Sequence, residues 1–283
     1  MTLRSHLLIF VLLAVLIVAF CVYRFVYLQP SQSRNWSPDL ATLAHAEIEG
    51  DKVTVYNIRN FAYQTETEYT PRYYNKSFDL ERIKKVYYAV VPFGSVPGIA
   101  HTFVSFEFEE DQFLAISIEV RKQVGEDYSI PRGLVKPYEL IYVVGDENDI
   151  IKLRTNYRKG EDVHLYPVRA RKEVLQAVFL DYMNRVNQLY AKPEFYNIFT
   201  KTCTTDIVDV VNRASGYRIP LSYKYFLPAF SDEYALEQGL LDTNLSIDEA
   251  RAYFSINKRA QTYGHDPDFS LKIREPESDV SGS

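Results

Sequence analysis

Cysteine is nearly absent from this sequence: Cys21 and Cys203 are the only two in 283 residues. Two thiols cannot frame a disulfide scaffold, and no Cys/His cluster has the spacing of a structural zinc site. Cys21 lies in an apolar N-terminal run, so a bridge to Cys203 is not expected. Cys203 therefore reads as a free thiol, compatible with either redox compartment. Acidic residues are missing from the first 30 positions, where Arg4 and Arg24 are the only Lys or Arg; beyond them 30 basic residues face all 37 acidic ones, net −7. No basic stripe interleaved with aromatics occurs, which argues against a nucleic-acid partner. Collagen-like periods, low-complexity blocks and repeats of solenoid length are also lacking. The oxygen-rich segments HLY and GDENDI fit no recognised metal loop, so neither a metal nor a cofactor is expected.

What is present describes an ordinary folded chain, 47% hydrophobic and 24% charged. Aromatics are plentiful: 23 Tyr and 17 Phe supply amphipathic rings that need burial or a ligand. From Leu7 to Tyr23, LLIFVLLAVLIVAFCVY runs 17 residues without a charge, between Arg4 and Arg24. That is at the short end of what crosses about 30 Å of hydrocarbon, and snorkelling by Arg24 would let FVYL lengthen it. No small-Xaa-small site follows, and in VAFC Phe20 stands where a lipoprotein processing box needs a small residue. Residues 1–28 are therefore expected to be an uncleaved signal anchor, which the nearly balanced flanking charges barely orient. Residues 29–38 read as a polar stalk, 39–264 as one domain, and 265–283 as a disordered tail.

Within the domain, DLATLAHAEIEG (39–50) suggests a short helix and VTVYNI (53–58) a strand. YYNKSFDLERIKK suggests a turn entering a helical piece near 79–85, before the hydrophobic strand VYYAVVPF (86–93) and the turn GSVPGIA. HTFVSFEFEE (101–110) and QFLAISIEVRK (112–122) alternate strictly around a short acidic turn, a β-hairpin. ELIYVV, IIKLRT (150–155) and VHLYPV continue the strands. The period then changes. Val174, Leu175, Val178, Phe179, Tyr182, Val186 and Leu189 mark an amphipathic helix over 171–191. A second helix starts at Cys203 with Thr202 as N-cap and runs out at Ser215–Gly216; 217–262 mix helix and loop. Strands first and helices afterwards make an α+β domain, one antiparallel sheet flanked by helices.

Cys203 falls at the first turn of its helix, where unpaired amides and the helix dipole favour negative charge on a sulfur. His101 opens the strand HTFVSFEF; His101, Phe103 and Ser105 share one face, as do Ser117, Glu119 and Arg121 on the next strand. A thiolate, an imidazole and an orienting carboxylate, Cys203, His101 and Glu119, would form an arrangement for acyl transfer. Asn57, Arg59 and Tyr63 are cleft-lining candidates, Asn57 or Tyr196 a candidate oxyanion donor, and Arg121 a candidate contact for an anionic phospholipid head group. Arg121, Glu126, Tyr138, Glu139 and Arg154 can equally form a structural ion-pair network. His45, His164 and His265 read as structural or surface residues.

The segments VTVYNIRNFAYQ, YYNKSFDL, AHTFVSFEF, ISIEVRKQVGEDYS, YELIYVVGDENDIIKLRT and PEFYNIFTKTCTTDI resemble the Lnb N-terminal periplasmic domain family, co-linearly over roughly residues 35–225. The resemblance implies a bacterial inner-membrane protein with its domain in the periplasm, and the one apolar run makes the expected anchor single-pass. It implies lipoprotein N-acylation by transacylation, with His101 and Cys203 as the catalytic pair. The histidine-first order is similar to permuted papain-like (NlpC/P60-like) folds, with Cys at a helix N-terminus and His on a facing sheet. Two departures stand out: the family's transacylases carry several membrane helices after the soluble domain, and Thr202 stands where an Asn is usual.

The expected function is thus a membrane-anchored thiol acyltransferase or hydrolase acting on a phospholipid or lipoprotein acyl group. The rivals are a cysteine peptidase or amidase acting on peptidoglycan, and a non-catalytic module that binds or assembles envelope proteins. An apolar groove beside Cys203 favours the first and an open polar cleft the second. Separation of His101 from Cys203, or occlusion of Cys203, favours the third.

Overall fold

The computed structural model describes residues 3–94, 97–129, 138–197 and 200–275. Helix α1 (Leu3–Val22) is long and apolar enough to cross a membrane; its 20 residues make roughly 30 Å at 1.5 Å each. A π-helical turn (Tyr23–Tyr27) follows. The strands are β1 (His45–Glu49), β2 (Lys52–Arg59), β3 (Ala62–Tyr63), β4 (Tyr69–Thr70), β5 (Tyr73–Asp79), β6 (Ile83–Pro92), β7 (Ala100–Phe108), β8 (Gln112–Arg121), β9 (Glu139–Gly145) and β10 (His164–Pro167). The helices after α1 are α2 (Glu147–Lys152), α3 (Lys172–Ala191), α4 (Cys203–Ser215), α5 (Tyr223–Phe226), α6 (Ser231–Glu237), α7 (Ile247–Phe254), α8 (Asn257–Thr262) and α9 (Phe269–Lys272).

The main sheet runs β1-β2-β9-β8-β7-β6-β10, with β5 also paired to β2, and β3-β4 form a separate ribbon. Its ladders are antiparallel except where β2 meets β9 in parallel at Arg59↔Gly145, so the expected antiparallel sheet is in fact mixed. Glycine is required at that junction. A Cβ on Gly145 would sit 2.9 Å from Ile150 Cγ1 and 3.0 Å from the Arg59 carbonyl. Along β7, alternate residues serve two cores. Ala100, Val104, Phe106 and Phe108 join α3 and α4, while Phe103 joins Ala115, Ile141, Ile151, Ile256 and Phe269 on the opposite face. The result is an α+β domain with helices on both faces of a mixed sheet.

The hairpin β7–β8, helix α3 and helix α4 lie where the periodicity puts them. At α4, Thr202 accepts from the Thr205 amide while Thr205 Oγ1 accepts from the Thr202 amide, a capping box, and Gly216 ends the helix at φ +67°. Four expectations are corrected. Residues 39–50 hold strand β1 rather than a helix, because a ladder to β2 satisfies its backbone and Ala46 both donates its amide to Asn187 Oδ1 and accepts from Asn187 Nδ2. The piece near 79–85 is one 3₁₀ turn (Leu80–Arg82) between two strands. Residues 150–155 are helical, not a strand: Asp146 caps α2 through the Asn148 amide at 2.9 Å, and Ile150, Ile151 and Leu153 are buried. The tail is ordered through residue 275, since α9 and the residue after it bury Phe269 and Ile273 completely; 276–283 lie outside the described residues.

The stalk is docked. The Ser31 amide donates to Glu139 Oε1 at 2.7 Å, Gln32 Nε2 to the Leu189 carbonyl at 2.9 Å, and Trp36 bridges Gln123.

Candidate functional site around Cys203

Helix α4 begins against the middle of the sheet, and Cys203, 7% exposed, belongs to the core shared with α3. Its sulfur lies 4.0 Å from Thr204 Oγ1, and Thr204 Oγ1 lies 3.0 Å from Thr102 Oγ1 on β7. Tyr88 donates to Ser231 Oγ at 2.7 Å. Tyr88, Tyr128 and Tyr196 lie within electrostatic reach of the thiol: burial raises each phenol's pKa, and the sulfur adds to the rise. The Cys203 backbone amide faces the Tyr196 hydroxyl and opposes that rise. Tyr196 and Thr202, both expected near the thiol, are therefore there. Tyr88, Thr102, Thr204 and Tyr128 were not anticipated.

Beside this cluster opens a cavity of about 370 Å³, walled by Val104 and Tyr88 of the sheet, Val178 of α3, Thr204 and Val208 of α4, and Tyr225 of α5. Cys203 is not on its wall, but its neighbours Tyr88 and Thr204 are. The surroundings are almost wholly apolar, as binding sites for hydrocarbon are. At roughly 30 Å³ for a water-sized unit, the space takes about a dozen methylene-sized groups.

His101 is elsewhere. Because Thr102 points at α4, strand alternation turns His101 to the other face. There Nε2 lies 2.7 Å from Ser117 Oγ and 3.8 Å from Glu119 Oε1, and the ring lies over Phe103. Ser117 also donates to Glu119 Oε1 at 2.8 Å. The expected His101–Glu119 partnership thus forms, but no hydrogen bond joins His101 to Cys203 among the described residues. Arg154 Nη2 reaches Glu119 at 3.0 Å and its Nη1 reaches Glu161 at 3.1 Å. Burial raises the Glu119 pKa, but Arg154, His101 and Arg158 outweigh it and hold this carboxyl well below the usual range. Burial, then the Arg154 cation, lowers His101 from 6.5 to about 3.

A pH dependence follows. With the folded pKa depressed, the unfolded chain takes up the proton first as pH falls. The stability is therefore complete above about 6.5 and is lost toward 3. The Glu119 contribution is complete above about 4.5, its ordinary value, and is lost only below it, outside the pH 5–7 window. Urea unfolding at pH 5 against pH 7 should show a loss of about 2 kcal/mol that His101→Gln largely removes. Equal losses in both proteins would contradict the assignment.

The remaining candidates are structural. Arg59, buried, donates to Asp149 through Nε at 2.9 Å and Nη2 at 2.7 Å, and Tyr63 donates to the same carboxylate at 3.2 Å. Asn57 occupies a bulge at φ +60° and spends its amide on the Leu43 carbonyl at 3.0 Å. Arg121 donates to the carbonyls of Leu40 and Ala41 and to Gln32, under the Trp36 ring at 4.3 Å, so it clamps the stalk rather than presenting itself to a head group. Glu139 pairs with Arg34 at 3.2 Å, and Tyr138 donates to the Asp127 carbonyl. His164 Nδ1 lies 3.0 Å from the Arg251 carbonyl and His45 stacks on Tyr56. No His, Cys, Asp and Glu cluster able to hold a metal occurs among the described residues.

A family model described as the Lnb N-terminal periplasmic domain matches residues 69–229, which include Tyr88, His101, Glu119 and Cys203. No curated protein and no solved structure matches.

Proposed function

The chain belongs to the Lnb N-terminal periplasmic domain family, and on that footing we propose that it handles acyl groups at a membrane. In this reading α1 anchors the domain, the cavity takes the acyl chain of a phospholipid or lipoprotein, and Cys203 accepts the acyl group. The observation that carries it is the apolar cavity whose wall includes two residues next to the thiol, Tyr88 and Thr204. A peptidoglycan peptidase would need an open, polar cleft there. In the step proposed, the sulfur bonds to the ester carbonyl carbon, the carbon–oxygen bond breaks, and the thiol proton goes to the departing alcohol. An amine then takes the acyl group from the thioester (transferase), or water does (hydrolase). The proposed oxyanion donor is the Cys203 amide at the N-terminus of α4, with the acyl oxygen displacing the Tyr196 hydroxyl that faces it. His101 and Glu119 carry no step in it, because their side chains lie across the sheet.

Substituting Val208→Phe would fill part of the cavity from α4. Displacing two or three methylenes at about 0.8 kcal/mol each should weaken binding of a fluorescent fatty acid roughly tenfold or more, with the melting temperature little changed. Unaltered binding would move the chain out of this cavity. A binding-only reading is favoured by one pair of observations: Cys203 is 7% exposed, and among the described residues no histidine hydrogen-bonds it. It predicts a bound chain without an adduct on the sulfur.

A further inference from the structure

We propose that the stalk end of the domain, rimmed by Leu221, Tyr223, Phe226 and Leu227, rests on the lipid bilayer itself. This extends the acyl-handling reading by giving the cavity its lipid source. Leu221 is 82% exposed and Tyr223 65%, and Phe226 and Leu227 also face solvent, although their neighbour Tyr225 lines the cavity. Such a run of large apolar side chains is unusual on a free surface and marks a contact site. Tyrosine at its margin suits a water–lipid boundary.

Position in the fold selects the bilayer as the occupant. Leu227 and Phe230 pack on Gly98, in the turn that leads into β7, and the Ala229 amide donates to the Gly98 carbonyl. The start of β7, the end of β8 and the start of β9 lie at one end of the sheet. The stalk attaches at that same end, through Trp36 to Gln123 and Ser31 to Glu139. Exposed Val124 and Tyr190 lie beside those attachments. The apolar helical segment ends at Tyr27, and Ser31 is already docked. Three intervening residues span on the order of 14 Å at most. A membrane-inserted α1 therefore holds this end, and not the opposite one, against the lipid surface.

The test places a photoreactive diazirine amino acid singly at positions 221, 226, 48 and 111 of the full-length chain. Each protein is reconstituted in phosphatidylethanolamine/phosphatidylglycerol nanodiscs and irradiated. Asp111 lies in the β7–β8 turn at the far end of the sheet. Ile48 belongs to the β1–β2 hairpin, whose Asp51 bonds to Leu80 beside the Arg82–Glu109 pair at that far end. Mass spectrometry should find phospholipid adducts at 221 and 226, and none above background at 48 and 111. Any other pattern overturns the proposal, including equal labelling at all four positions or protein–protein adducts at 221 and 226 from a second copy. The readout needs no chemistry at Cys203, so an inactive thiol with lipid adducts at 221 and 226 would sink the catalytic reading alone.

Discussion

Full-length protein incubated with phospholipid in detergent is expected to gain the mass of one acyl group at Cys203 and to release one lysophospholipid, whereas Cys203→Ala does neither. The loss should be complete rather than partial, because no second cysteine stands near the cavity; Cys21 lies within α1. Hydroxylamine at neutral pH should remove the adduct, as it cleaves thioesters. The substitution trims one small buried side chain, a change of about 1 kcal/mol. That is well short of a stability of about 5–15 kcal/mol, so an unchanged melting temperature would separate lost chemistry from lost fold. Wild type that binds fatty acid yet never carries an adduct would leave the domain as a binding module. An adduct that persists in Cys203→Ala would remove the thiol from the account.

Asp149→Ala should behave in the opposite manner, with a large effect on stability. Asp149 is wholly buried and accepts from Arg59, from the Phe61 amide at 2.8 Å and from Tyr63. Its removal strands a buried guanidinium, which typically costs about 3–5 kcal/mol. For a domain of this size the melting temperature should drop by roughly 10 °C. Arg59 and Tyr63 look like site residues in the sequence because they are polar and adjacent to a strand end. The geometry makes them a brace between β2 and α2. A melting temperature within about one degree of wild type would contradict that brace, and it would return Arg59 to the list of groups available to a substrate.

Strong periodicity made β7–β8, α3 and α4 legible, and Thr202 together with Gly216 marked both ends of α4 without any tertiary information. Short segments misled. DLATLAHAEIEG has the composition of a helix, but its backbone is claimed by β2 and Asn187. IIKLRT reads as a buried strand because a brief apolar run has no distinguishing period. The C-terminal segment looked loose because its ties are tertiary: Phe269 and Ile273 enter the core and Arg274 pairs with the buried Glu147, contacts that leave no periodic mark in the sequence.

The site was legible at Cys203 and not at its partner. Strand β7 is buried on both faces, so alternation groups His101 with Phe103 yet does not say which face meets α4. That is decided by the contact of Thr102 with Thr204, between elements a hundred residues apart. The cavity draws on residues from Val86 to Leu241 and leaves no local mark.

The central claim is that a lipid acyl chain occupies the cavity beside Cys203. The most direct measurement is photolabelling of the full-length protein in nanodiscs with a phospholipid bearing a diazirine along its acyl chain, followed by peptide mapping. Adducts are expected on cavity-facing residues of α3 and α4, such as Val178 and Val208, and are reduced in Val208→Phe. Adducts confined to the opposite face of the sheet, around Phe103 and Leu165, or adducts on α1 alone, would contradict it.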